Sequence, residues 1–241
     1  MQEEETVADP ASATWTVQVG EKETTAVSDP PEAAEGPRVV FVCAHGAGGH
    51  RDDGGMLRLR DALRARGLHL VRFNFLYKER GSGRPDPMPL LQECTSAVVA
   101  RAREELRPDV LIIGGRSMGG RAASMLAADG FPCDGLLLLA YPLHPAGQPE
   151  KLRDAHLPNI DVPVLCFNGT RDDLCRRELM EPVLSRVKPT WTMHWLEAAD
   201  HSFHVLKSSG RTDAQVLDEV GDATRAWVDG LGHSPGDEKG R

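Results

Sequence analysis

From residue 38 to residue 230 the chain alternates between two hydrophobic periods, and few folds accommodate that. Runs at 38–45 ("RVVFVCAH"), 109–115 ("DVLIIGG"), 135–142 ("GLLLLAYP") and 162–169 ("VPVLCFNG") are almost continuously apolar. Those at 68–75 ("LHLVRFNF") and 190–197 ("TWTMHWLE") alternate. All six read as strands. Between most of them lie stretches with apolar residues at helical spacing: 56–67, 90–106, 118–130, 176–187 and 213–230. Glycine closes the first and third, a proline follows the second, and Pro182 predicts a break or kink in the fourth. Strands apolar on both faces, separated by helices, predict an α/β fold with a mostly parallel central sheet covered on both sides.

The ends differ in character. Residues 1–37 read as an N-terminal extension with one possible edge strand, "TWTVQV" at 14–19, followed by a loop at 28–37. Residues 38–230 read as the domain and 231–241 as a flexible tail. The connection from 142 to 162 is too short for a large helical cap and predicts only a short helix, which leaves a site above the sheet open.

Composition narrows the function. The 241 residues carry 28 basic against 36 acidic side chains, a net charge of −8, and only 5% aromatics. That is a poor match to nucleic acid, which needs clustered cations and stacking platforms. No apolar run approaches the length of a membrane span, and the acidic start "MQEEETVADP" is unlike a secretory signal. The five cysteines have no CxxC spacing, and two of them, Cys43 and Cys166, fall inside apolar runs. Buried free thiols of a cytoplasmic protein are expected, with no metal and no cofactor.

In an open parallel sheet, chemistry collects at the carboxyl ends of the strands. After 109–115 comes Gly115-Arg116-Ser117-Met118-Gly119, a G-x-S-x-G between strand and helix. A nucleophile elbow needs that context, with small residues two before and two after the serine. After 38–45 comes "HGAGGH", which lacks both the dinucleotide-binding glycine spacing and a Walker lysine. Its backbone suits one half of an oxyanion hole, with Ala47 (or Gly48) and Met118 as donors. His45 is expected to brace that loop. After 162–169, "NGTRDDLC" offers Asp172 and Asp173; Asp172, nearer the strand, is preferred as the acid of a triad, and one of the two is free to cap the next helix. After 190–197, "EAADHSFHV" offers His201 as the base, with His204 packing or facing solvent.

These segments ("VCAHGAGG", "GGRSMGGRAAS", "NGTRDDL", "DHSF") resemble the α/β-hydrolase superfamily, and within it the small capless members similar to dienelactone hydrolase. Together with "VRFNFLYKERGSGRPDP" at 71–87, they are most similar to the group holding a testis-expressed hydrolase-like protein and a histone acetyltransferase complex subunit. The likeness spans roughly residues 38–229. It implies acyl transfer to water: Ser117, His201 and Asp172 acting on a small ester or thioester. Dienelactone hydrolases proper use a cysteine nucleophile, and here it is a serine. The other reading is a non-catalytic interaction module that keeps the fold. Arg116, beside the nucleophile, suits either a substrate anion or a salt bridge across the elbow, and Gly48 is a second candidate for contact with substrate. Arg121 poses the same question. Arg72, Lys78, Arg80 and Arg84 form a candidate basic rim or are solvated loop charges.

Overall fold

The computed structural model describes residues 11–33, 36–188 and 190–231. Its centre is one eight-stranded sheet. The strands are β1 (Ala13–Val19), β2 (Lys22–Asp29), β3 (Val39–Ala44), β4 (His69–Phe73), β5 (Val110–Arg116), β6 (Gly135–Leu139), β7 (Val164–Gly169) and β8 (Trp191–Leu196). They lie in the order β1-β2-β4-β3-β5-β6-β7-β8. From β4 to β8 every pairing is parallel, while β1–β2 and β2–β4 are antiparallel. The expected edge strand is β1. β2 was not anticipated, so the segment 1–37 supplies two strands to the sheet. They are joined by a two-residue turn with Gly20 at φ +59°.

Helices α1 (Gly54–Arg64), α2 (Leu76–Glu79), α3 (Met88–Leu106), α4 (Met118–Ala128), α5 (Arg177–Leu184) and α6 (Asp213–Leu231) complete the fold. Alternate side chains of β3 feed two separate cores. Val40, Val42 and Ala44 pack with residues of α3, α4 and α5 on one face; Val39, Phe41 and Cys43 pack with α1 and α6 on the other. A central strand buried on both faces has to be apolar throughout, as β3 is. A break or kink was expected at Pro182; α5 continues through it without a break. Within 142–162 the regular structure is one 3-10 turn, Leu157–Asn159, and no cap covers the sheet. Residues 232–241 of the expected tail lie outside the described residues.

An ion pair is buried in this framework. Arg72 of β4 donates through Nε to Asp29 of β2 at 2.6 Å, with the two side chains 3% and 0% exposed. Arg72 also reaches Asp52 ahead of α1 at 2.9 Å. It therefore ties the antiparallel edge of the sheet to the first helix and takes no part in a basic rim. All five cysteines are free. No helix among the described residues is long and apolar enough to cross a membrane.

Candidate active site

β4 lies on one side of β3 and β5 on the other, so the chain reverses its direction of winding between β3 and β5. The loops leaving those two strands face each other across this switch point, where open α/β sheets bind ligands. Ser117 stands on one of them. It is the N-cap residue of α4, with φ +47° and ψ −115°, a conformation non-glycine residues seldom adopt. Its N–H donates to Leu139 O at 2.9 Å, so the turn is anchored to β6. The flanking residues must be glycine for steric reasons. A Cβ on Gly115 (φ +140°) would stand 2.2 Å from Ala44 O, and one on Gly119 2.6 Å from His45 O.

The three residues expected as a triad meet. His201 Nε2 lies 2.9 Å from Ser117 Oγ. His201 Nδ1 lies 2.9 and 3.0 Å from the two oxygens of Asp172. The Asp172 side chain is fully buried, whereas the neighbouring Asp173 is exposed. Two further donors hold Asp172: Asn168 Nδ2 at 3.0 Å and the Leu174 N–H at 2.8 Å. Asn168 was not singled out in the sequence; it is the penultimate residue of β7. It is buried and also exchanges hydrogen bonds with the backbone N–H and C=O of Tyr141. With Nδ1–H donated to a carboxylate, His201 turns the lone pair of Nε2 toward the serine hydroxyl. His204 instead points away, to Asp213 at 2.9 Å, and is exposed. A second serine–histidine contact, Ser124 to His156 at 2.8 Å, does not repeat the arrangement. Ser124 is buried within α4 and donates to Arg121 O, and no carboxylate bonds to His156 among the described residues.

The glycine-rich loop after β3 is held against the elbow. Gly46 passes close enough that a Cβ there would sit 3.5 Å from Ser117 Cβ. His45 braces the loop as expected: Nδ1–H donates to Gly46 O at 2.7 Å and Nε2 accepts from the Phe75 N–H at 3.1 Å. Burial pushes its pKa down to about 4, which keeps the ring neutral and fits that tautomer. The Tyr77 hydroxyl donates to Ala47 O at 2.8 Å, a brace the sequence reading missed. Ala47 and Met118 both line a cavity of about 470 Å³ that contains Ser117. The Met118 N–H is the first of its helix and has no intrahelical acceptor. Gly48 lies with Ala47, Arg58, Arg116 and Ser117 in an adjoining cavity of about 530 Å³.

Arg116 makes no salt bridge among the described residues. It donates through Nη2 to His201 O at 3.2 Å, and its guanidinium sits 5.0 Å from the centre of the Phe203 ring. Burial lowers its pKa. It thus braces the loop that carries the histidine, from the residue next to the serine. Of the remaining candidate rim, Lys78 lies over the Tyr77 ring, Arg80 pairs with Asp86 at 2.5 Å, and Arg84 is exposed. Among the described residues no group of three or more His, Cys, Asp or Glu side chains is placed to hold a metal ion.

Comparison with known proteins agrees with this fold. The alpha/beta hydrolase domain family matches residues 37–229. Among similar solved structures, an α/β serine hydrolase homologue from Coxiella burnetii superposes with a TM-score of 0.70 at 20% identity, over 89% of this chain and 96% of the other. A lidless α/β serine hydrolase from Xanthomonas campestris gives 0.69 at 22% identity, over 90% and 94%. A dienelactone hydrolase from Anabaena variabilis gives 0.70 at 19% identity, over 92% and 98%. At such identities the likeness establishes the shared fold.

Proposed function

The chain belongs to the alpha/beta hydrolase domain family, and we propose that it is a serine hydrolase cleaving a small ester or thioester through an acyl-enzyme. The observation that carries this reading is His201, which lies within hydrogen-bond distance of Ser117 on one side and of a buried carboxylate on the other. That continuity supports catalysis over a fold kept only for interaction.

In the proposed reaction Ser117 Oγ attacks the carbonyl carbon while His201 Nε2 takes its proton. The negative charge that develops on the carbonyl oxygen is met by the N–H groups of Ala47 and Met118, at the positive end of α4. As the intermediate collapses, the bond to the leaving oxygen or sulfur breaks and His201 delivers the proton to it. Water then loses a proton to His201 and attacks the acyl carbon. The ester bond to Ser117 breaks, and the serine recovers its proton from His201. Asp172 holds the imidazole in the required tautomer throughout and stabilises its cation. The open cavity favours small substrates that need no lid.

A finer kinship within the family is part of the proposal. The segment "VRFNFLYKERGSGRPDP" supports grouping with the testis-expressed hydrolase-like protein and the acetyltransferase complex subunit. A cytoplasmic setting is proposed too, on five unpaired cysteines, of which Cys43 has its thiol pushed up to about 12 by burial.

A panel of p-nitrophenyl esters and acyl thioesters of graded chain length tests the activity. Hydrolysis that disappears in Ser117→Ala supports it. A flat profile at the uncatalysed rate, or turnover that survives Ser117→Ala, overturns it.

A further inference from the structure

Three polar side chains in the wall of the cavity that contains Ser117 carry hydrogen-bonding groups without partners among the described residues. Arg121 leaves α4 one turn after the nucleophile. It makes no ion pair among the described residues, and its Nε is buried without a hydrogen-bond partner. Arg153, on the connection between β6 and β7, likewise makes no side-chain hydrogen bond or ion pair among the described residues. His144, on the same connection, is 1% exposed. Its Nδ1–H donates to Pro145 O at 3.0 Å, which leaves Nε2 buried and unpartnered. All three line the one cavity.

Two guanidinium groups sharing a wall repel each other. Burial lowers the pKa of Arg153, and the charge of Arg121 lowers it further. Both guanidinium groups are half-buried, and charges drawn out of water are ordinarily paired, because leaving them unpaired forfeits hydration without a return. Asp86 also lines the cavity, and its Oδ2 is buried without a partner. Its Oδ1 is committed to Arg80 at 2.5 Å, and Asp86 is not among the charges that act on Arg153. It does not neutralise the pair. The rest of the wall is largely apolar, with Met88, Leu91, Met118, Pro142 and Leu174.

We propose that this cavity receives an acyl group whose far end carries an anion, with Arg121 and Arg153 binding the anion and the apolar wall holding the chain between it and the reacting carbonyl. The substrate class is a half-ester or half-thioester of a dicarboxylic acid, or its phosphonate counterpart. Either anion offers several oxygens to two guanidinium groups, the geometry that arginine recognises best. The unpartnered Nε2 of His144, buried in the same wall, is an acceptor left for a hydroxyl or water that accompanies the anion. This inference rests on the serine-hydrolase reading and deepens it from small esters to anionic ones.

The test compares two esters of equal chain length on the full chain: p-nitrophenyl pentanoate and the mono-p-nitrophenyl ester of glutaric acid. The glutarate ester is expected to have the higher kcat/KM by about tenfold or more, the scale of one hydrogen bond to a charged group. Arg121→Gln and Arg153→Gln should each move the ratio toward one. Because the readout is a ratio, a general loss of active protein cancels. A phosphonate-terminated ester of the same length shows which anion is preferred, and preference for either supports the proposal. A ratio of one or less in the unaltered protein, or a ratio that survives both substitutions, overturns it. If the neutral ester is hydrolysed in a Ser117-dependent way at a ratio of one, the serine-hydrolase reading stands and this one falls. If neither ester is hydrolysed, both fall.

Discussion

Asp172 and Asp173 are adjacent and chemically identical, yet one carboxylate is buried against an imidazole and the other faces water. The difference lies in backbone direction at the end of β7, which turns Asp172 inward toward Asn168 and the Leu174 N–H. Asp172→Asn should lower kcat on the order of 10³–10⁴-fold with little change in KM, since the amide favours the wrong histidine tautomer. Asp173→Asn should leave steady-state kinetics as they are. Similar losses from both substitutions would place the acid elsewhere. The meeting of Ser117, Asp172 and His201 was legible because each occupies a fixed topological place, a strand end, in the chain order that brings them together. The contacts of Arg116 and the second support of Asp172, Asn168, were not legible. Arg116 meets a backbone carbonyl and a ring rather than a carboxylate, and Asn168 acts from inside a strand that reads as plain core. Neither contact leaves a spacing pattern in one dimension.

The hairpin of β1 and β2 shows where periodicity runs out. β1 was readable because Trp15, Val17 and Val19 alternate inward. The inward positions of β2 include Thr24, Ala26 and Ser28, which are too small or polar to register as an apolar face. What marks the hairpin is Gly20 in its turn, together with an ion pair that joins residues far apart in the chain: Asp29 with Arg72. Arg72→Ala should destabilise the fold by about 3–5 kcal/mol, because Asp29 is left buried without its counter-charge. Urea unfolding measures it, and a loss under 1 kcal/mol would show that the pair is dispensable. α5 offers the reverse lesson. Pro182 argued for a break or kink; in a helix of eight residues it removes a single internal donor, and the helix is not broken. At the elbow, Gly119→Ala should yield protein that fails to accumulate in folded form, since its Cβ would meet the backbone of the loop after β3.

At the scale of the whole molecule, the parallel sheet, its helices and the open top were all predictable from strand–helix alternation and a short 142–162 connection. What held no sequence signal is the burial of histidines. His45 and His69 both have their pKa values lowered from 6.5 to about 4, chiefly by burial. Above pH 6.5 they are neutral whether the chain is folded or not. Between pH 6.5 and 4 the unfolded chain binds protons that the folded one refuses. Stability therefore falls as pH drops through that window, by about 1.4 kcal/mol per pH unit for each proton. The exposed pair of His204 with Asp213, whose histidine pKa is raised, works in the opposite direction. The urea midpoint at pH 5 should lie below that at pH 7.5, and His69→Asn should flatten the dependence. An equal midpoint at both pH values would mean that these rings are protonated in place.

All of this converges on one atom, the Oγ of Ser117, held 2.9 Å from His201 Nε2 on a backbone turn that few residues tolerate. A fluorophosphonate probe reacts with a serine only where a base activates it and an oxyanion site receives the phosphoryl oxygen. Intact-mass measurement after incubation, followed by peptide mapping, should find a single adduct on Ser117. The adduct should be absent in Ser117→Ala and form far more slowly in His201→Gln. An unlabelled protein, or an adduct that persists in Ser117→Ala, would contradict the assignment of Ser117 as the nucleophile.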